Sequence, residues 1–205
     1  MKKSQIIFSQ YSPLMVVDTP LVGSDGNLIE TPRVSSLCRC GESKYKPLCD
    51  GSHAQEGFDG KREDSEKKEL EYYRGKELTI VYDRYLCMGA GYCGDLEAVF
   101  GTHDAPKYEP DAAPAADIIA TIKKCPSGAL SYQIEDEYFG NYYDQTQIVV
   151  EKDGQLNCQG DITVIDDQDS DKLLPGTDHY TLCRCGDSKK KPLCDGSHKE
   201  NGFKE

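Results

Sequence analysis

Hydrophobic positions in this chain come in short runs separated by turn residues. Leu14-Met-Val-Val17 is extended by composition, and Pro13, Pro20, Gly23, Gly26 and Pro32 punctuate the pieces around it. Leu78–Tyr82 is rich in branched and aromatic residues and predicts a strand; Leu96–Phe100 predicts a short helical turn. Asp117 is placed to cap a helix carrying Ile118, Ile119 and Ile122 on one side, with Cys125-Pro126 ending it and Ala129–Ile134 following as a strand. Ile148–Val150 and Asp161–Ile165 alternate like strands around a turn at Asp153-Gly154. Between these runs lie two polar stretches. Residues 61–71 are almost wholly charged and read as a linker or a solvated helix; residues 135–147 are acidic and aromatic, a linker or a docking strip.

A second periodicity overrides the first. Leu37-CRCGESKYKPLCDGS-His53 recurs as Leu182-CRCGDSKKKPLCDGS-His198, 145 positions later, with fifteen of seventeen positions identical. The differences are Glu42/Asp187 and Tyr45/Lys190, and a Gly-Phe pair follows each copy at the same offset, Gly57-Phe58 and Gly202-Phe203. The repeat divides the 205 residues into modules near 60 residues each: 1–59, a charged linker 60–76, 77–135, an acidic linker 136–147, and 148–205. The expected class is α+β, two β-rich units flanking a β/α unit. With 37% hydrophobic residues, no Trp and a mean hydropathy of −0.65, modules this small need staples beyond apolar burial. Ten cysteines can supply them.

The apolar run near the N-terminus, Ile6–Phe8, is too short for a secretory signal, and no stretch reaches membrane-spanning length. This predicts a reducing, cytoplasmic setting and no membrane partner, where clustered cysteines mean metal more often than disulfides. Cys38/Cys40 and Cys183/Cys185 are also too close for a relaxed disulfide. A net charge of −12 argues against nucleic-acid binding, which needs phosphate-neutralising Lys and Arg. The acidity reads as solubility before it reads as steering toward a basic partner.

Each repeat offers three thiolates and an imidazole. Cys38 and Cys40, two apart in an extended segment, point to one side. The loop 41–47 can return Cys49 to them, Asp50 can cap a short helix, and His53 falls on the face of its first turn. Cys183, Cys185, Cys194 and His198 repeat the set. Gly41 and Gly51 let backbone N–H groups aim at sulfur. Tetrahedral zinc and a 2Fe-2S cluster both take such donors.

The run C-x-C-x2-S-x3-P-x-C-D-G-S-H, through Ser43 and Pro47 in one copy and Ser188 and Pro192 in the other, resembles the CDGSH iron-sulfur (mitoNEET-like) family. The resemblance implies one redox-active, acid-labile 2Fe-2S cluster per copy, the outer iron held by His53 or His198. It also implies pairing of the two copies, here inside one chain that acts as a monomer. Protonation of imidazole competes with iron, so cluster loss is expected as pH falls, slowed by Cys in place of either His.

Between the copies, Cys87-Met-Gly-Ala-Gly-Tyr-Cys93, Val99-Phe100 and Cys125-Pro-Ser-Gly-Ala-Leu130 resemble a divergent single-cluster ferredoxin. Ala90 stands where a ferredoxin loop carries its middle cysteine. Cys87, Cys93 and Cys125 therefore hold a 3Fe-4S cluster completely, or a 4Fe-4S cluster with a fourth ligand of another kind. Cys158 reads as a small buried hydrophobe in a strand pair, with a distant fourth ligand as its alternative; His103 and His179 carry no assigned role.

The function these sites imply is multi-cluster electron transfer, non-enzymatic and dependent on an external reductase. Its partner is a redox protein or, if the chain instead stores, delivers or senses clusters, an apo-acceptor. A zinc-stabilised interaction module is the remaining alternative.

Overall fold

In a computed structural model the described residues are 3–62, 70–102, 104–167 and 176–205. His103 and most of the charged stretch 61–71 lie outside them. The fold is α+β, with strands in three sheets and short helices.

The first segment supplies strands β1 (Ser4–Ile7), β2 (Leu14–Val17), β3 (Leu21–Gly23), β4 (Leu28–Ile29) and β5 (Val34–Leu37), then helix α1 (Ser52–Gln55). The middle segment supplies β6 (Leu70–Arg74), β7 (Thr79–Asp83), helices α2 (Glu97–Phe100) and α3 (Ala115–Ile122), β8 (Leu130–Ile134) and β9 (Glu137–Phe139). The last supplies β10 (Gln147–Val150), β11 (Leu156–Gln159), β12 (Ile162–Ile165) and β13 (His179–Leu182).

The two repeats do not fold side by side as separate units. One sheet has the order β12-β1-β2-β5 and the other β13-β11-β10-β3-β4. The two cross-repeat pairings, β1 with β12 and β10 with β3, are parallel; the remaining neighbours are antiparallel. The first repeat thus lends β3 and β4 to the second repeat's sheet, and the second lends β12 to the first's. β2, β10 and β12 alternate buried with more exposed positions, as strands with one covered face do, whereas β13 is buried at every position and β11 at its first three. Ile6, Leu21 and Leu37 from one repeat and Ile148, Leu156 and Leu182 from the other have no exposed surface.

Two local readings change. The turn at Asp153-Gly154 joins β10 to β11 and not to Asp161–Ile165. Gly160, at φ 77, breaks the chain after β11, and β12 crosses to the other sheet to pair with β1. Asp117 is not the cap of α3. The helix starts two residues earlier, with Pro114 as the flanking residue and Asp117 in its first turn, where Pro's fixed φ suits helix entry.

The middle segment forms an antiparallel sheet, β6-β7-β8-β9, on which α3 buries Ile118 and Ile122. Its first strand takes in the end of the charged stretch, and its last strand lies in the acidic, aromatic one. Beyond β9, Tyr142 and Tyr143 donate backbone N–H groups to Asp178 Oδ2, both at 2.8 Å. Their rings sit 5.3 Å from that of His179. Part of this segment thus packs against the second repeat, and one continuous hydrophobic core runs through all three segments. Among the described residues no helix is long and apolar enough to cross a membrane.

Candidate metal centres

In both copies a strand ends at a leucine (Leu37, Leu182) and the next residue is the first cysteine. The loop folds back so that Cys38 N donates to Pro47 O (2.8 Å) and Cys49 N to Ser36 O (2.8 Å). The second copy repeats this with Cys183 N to Pro192 O (2.8 Å) and Cys194 N to Thr181 O (3.0 Å). Ser43 Oγ donates to Leu48 O and Ser188 Oγ to Leu193 O, each at 2.6 Å. These bonds return the third cysteine of each copy toward the first, and they are why the serine and proline positions of the repeat matter.

The donors come as two pairs. Cys38 and Cys40 sulfurs are 3.7 Å apart, and Cys49 Sγ lies 3.3 Å from His53 Nδ1. The second copy gives 3.7 Å for Cys183/Cys185 and 3.4 Å for Cys194 Sγ to His198 Nδ1. Among the described residues no three such groups converge on one point that would hold a single metal ion. Gly51 N and Gly196 N each donate to the cysteine two residues back at 3.4 Å, a bond that favours thiolate. In the first copy the shared S–H···S contact lowers Cys38 to about 5 and pushes Cys40 up. In the second it lowers Cys185 to about 6 and raises Cys183. In each pair the shared contact favours ionisation of one sulfur over the other. Burial pushes Cys194 up to about 12 against the Gly196 N–H. Three thiols, an imidazole at Nδ1 and N–H groups aimed at sulfur fit an anionic metal-sulfur group.

Asp50 is not a helix cap. Its carboxylate closes a turn, Oδ1 accepting from Ser52 N (3.0 Å) and Ser52 Oγ (2.6 Å), and Oδ2 from Lys44 N (2.9 Å). Asp195 does the same with Ser197 and Lys189. Gly51 occupies the cap position in a left-handed conformation. An Asp two residues before the first helical N–H reaches it through this local ring, which competes with a cap.

The two centres adjoin each other. Cys40 and Cys185 form an antiparallel backbone bridge. A Cβ on Gly41 would lie 2.5 Å from Cys185 O, and one on Gly186 would lie 2.4 Å from Cys40 O. Glycine is required at both positions by this close approach as well as by φ of 86° and 89°.

The arginine inside each C-x-C was not legible as a site residue. Arg39 is 4% exposed and Arg184 1%. Arg39 lies 4.7 Å from the Phe8 ring and 5.2 Å from the Phe58 ring, and donates to Gly60 O at 3.1 Å. Arg184 lies 5.2 Å from the Phe203 ring, donates to Gly154 O at 2.8 Å and to Glu151 O, and pairs with Glu205 at 2.7 Å. The repeated Gly-Phe pair was the available signal, since its phenylalanine covers the arginine. Burial lowers Arg39, opposed first by the charge that Cys183 of the other copy would carry when ionised, so the guanidinium is placed to offset sulfur charge across the repeats.

In the middle segment, Cys87 and Cys93 flank a glycine-rich loop, and a five-residue 3-10 helix begins at Tyr92. Burial raises Cys93, with the neighbouring Cys87 and Cys125 charges acting in the same direction; the three thiols share one electrostatic neighbourhood. Ser127 Oγ lies 3.6 Å from Cys125 Sγ. Cys158 does not join them as described: it is fully buried on β11 and opposite Tyr180 on β13, with burial raising its thiol.

The family described as "Iron-binding zinc finger CDGSH type" matches residues 11–54 and again 153–199. The family described as "Divergent 4Fe-4S mono-cluster" matches residues 73–135. The chain carries two CDGSH iron-binding domains flanking a divergent mono-cluster domain. No curated protein and no solved structure gives a significant match.

The two CDGSH centres differ in surroundings. Cys49 and His53 are half-buried, whereas Cys194 is 2% and His198 8% exposed. Burial, and then the neighbouring Lys199, lower the His198 pKa and favour the neutral imidazole that a metal needs. The cysteine loop of the mono-cluster domain covers the second centre: Lys190 Nζ donates to Tyr85 O at 3.2 Å and Lys199 Nζ to Gly89 O.

Proposed function

We propose that this iron-sulfur protein is an electron carrier in which two CDGSH centres and one ferredoxin-type centre work as a contiguous set. The observation that carries this reading is the backbone bridge between Cys40 and Cys185, with the mono-cluster loop packed on the second centre. A protein built only to release clusters has no need to bring three ligand sets into contact.

Cys38, Cys40, Cys49 and His53, and their counterparts Cys183, Cys185, Cys194 and His198, would each hold a 2Fe-2S cluster, since their donors fall in two pairs as two irons require. Cys87, Cys93 and Cys125 would hold a 3Fe-4S cluster. A four-iron cluster, the kind the matched family's description names, needs a ligand beyond these three thiolates. When bound, such clusters supply one-electron donors and acceptors. The chain's own residues fix the spacing through Gly41 and Gly186, place the Arg39 guanidinium to offset thiolate charge, and exclude water with Leu37, Leu182 and Phe203.

The chain is read as a cytoplasmic monomer served by an external reductase, with no chemistry on a substrate of its own. The test pairs stopped-flow reduction with transfer to an apo-acceptor. Electron turnover is expected to outrun cluster transfer; the reverse order would favour delivery, for which the half-exposed Cys49/His53 pair is the supporting observation. EPR of the anaerobic protein, oxidised and reduced, reads the cluster types. A three-iron signal in the oxidised state is expected, and a four-iron signal in the reduced state would displace that assignment.

A further inference from the structure

The two CDGSH copies are nearly identical in sequence, yet one surface is occupied in the second copy and bare in the first. Gly51 and Gly196 hold the same backbone conformation, φ 91 and 94. A Cβ on Gly196 would lie 2.5 Å from Met88 O, while among the described residues nothing lies within 4 Å of one on Gly51. Lys190 donates to Tyr85 O and sits 5.3 Å from the Tyr85 ring. Its counterpart Tyr45 is 72% exposed. Lys199, which donates to Gly89 O, has exposed Ala54 as its counterpart. Met88 and Gly89 follow Cys87 directly; Gly196 and Lys199 flank His198. The cysteine loop of one centre is therefore clamped on the histidine turn of another by two lysines that the first copy lacks.

We propose that the mono-cluster domain is an internal partner dedicated to the second CDGSH centre, and that its cysteine loop shields the metal site there while the first centre stays open to solvent. The capping does not depend on the electron-carrier reading. The Tyr45/Lys190 difference marks which copy is covered.

The test uses the anaerobically purified holoprotein, a water-soluble ferrous chelator with mild reductant, and the release of CDGSH iron with time. Two ordinary hydrogen bonds hold the cap down, so two phases separated by about tenfold are expected. The fast phase is expected to vanish in a Cys38→Ser/Cys49→Ser variant. Gly196→Ala is expected to merge the phases by lifting the loop from Met88, whereas Gly51→Ala, which strains the turn over Cys49 equally and has no neighbour to displace, is expected to speed the fast phase by much less and so reads the effect of strain alone. EPR of the reduced protein gives a second reading. Faster relaxation of the mono-cluster centre through its neighbour is expected in the wild type and in Gly51→Ala, and is expected to disappear in Gly196→Ala. A single release phase in the wild type, or equal effects of the two alanines, overturns the capping. Two intact phases in a protein that fails the stopped-flow assay would remove the electron-carrier reading and leave the capping standing.

Discussion

The turn Gly51–His53 and the turn Gly196–His198 are written with the same residues and live in different places. In the first, Cys49 and His53 are half-buried and Tyr45 stands in solvent; in the second, Cys194 and His198 are buried and Lys190 reaches into a neighbouring domain. The ligand geometry hardly notices, with sulfur–nitrogen distances of 3.3 and 3.4 Å. The comparison separates what builds a metal centre from what tunes it. Donor spacing, the serine-to-carbonyl bond and the Asp turn are local and survive in both copies. Access, dielectric and neighbours come from whatever packs against the centre, and only the second copy has a domain packed there among the described residues.

The sharpest break in the comparison is removal of one ligand from each copy. Cys38→Ser and Cys183→Ser are each expected to lower iron content by about two per chain, as loss of one 2Fe-2S site requires. Iron and sulfide analysis reads this directly. Cys183→Ser should also alter the mono-cluster centre's EPR spectrum, and Cys38→Ser should not. Identical spectra from the two variants would mean that the mono-cluster domain senses both copies alike.

Next in size are the leucines that end the strands. Leu37 and Leu182 have no exposed surface, and truncation of either to Ala should cost about 2–5 kcal/mol. The two sheets contain strands from both repeats, so either substitution should lower one shared transition in urea followed by circular dichroism. Separate transitions for the two variants would show that strand exchange does not couple the repeats.

The buried arginines should differ from one another. Arg184→Met strands the Gly154 and Glu151 carbonyls and the Glu205 carboxylate. Arg39→Met strands chiefly the Gly60 carbonyl, its bond to Ser9 O being long at 3.4 Å. Each unsatisfied buried group costs about 1–3 kcal/mol. Arg184→Met is therefore expected to shift the midpoint of denaturant unfolding further than Arg39→Met, and equal shifts would contradict the hydrogen-bond count.

What the sequence made legible was the local part. The candidate donors Cys38, Cys40, Cys49 and His53, and their repeat, were legible as sets because each lies within one folded-back loop, while the metal they would hold, and the trio Cys87, Cys93 and Cys125, were carried by family resemblance and not by spacing alone. Asp50 was legible as a turn-former but not as one closing on Lys44, since caps and Asx turns use the same residue at neighbouring positions. The exchange of β12 and of β3 with β4 between the repeats' sheets was not legible: parallel pairing of Ile6 with Val164 joins strands far apart in sequence. His179 went unassigned because its partners, Asp178 and the rings of Tyr142 and Tyr143, include a segment whose composition resembles a linker. Nor could the capping of the second centre be read, because Gly51 and Gly196 are the same letter in the same motif.

Of the letters that do differ between the copies, Tyr45/Lys190 yields the smallest effect and the most specific test. Lys190→Tyr gives the second copy the first copy's residue and removes the bond to Tyr85 O, a loss of about 0.5–1.5 kcal/mol. Tyr45→Lys changes an exposed position and should alter stability by less than about 0.5 kcal/mol. Stability alone would make these two substitutions look alike within a factor of a few, so the discriminating measurement is access. Lys190→Tyr should speed release of iron from the slow centre, because Lys199 alone would then hold the loop. Tyr45→Lys should leave both phases where they were, since in this structure no carbonyl waits for a lysine at the first copy among the described residues. If Tyr45→Lys slows the fast phase instead, the first centre can recruit a cap of its own, and the difference between the copies would lie in that one side chain and not in which of them the mono-cluster domain is built against.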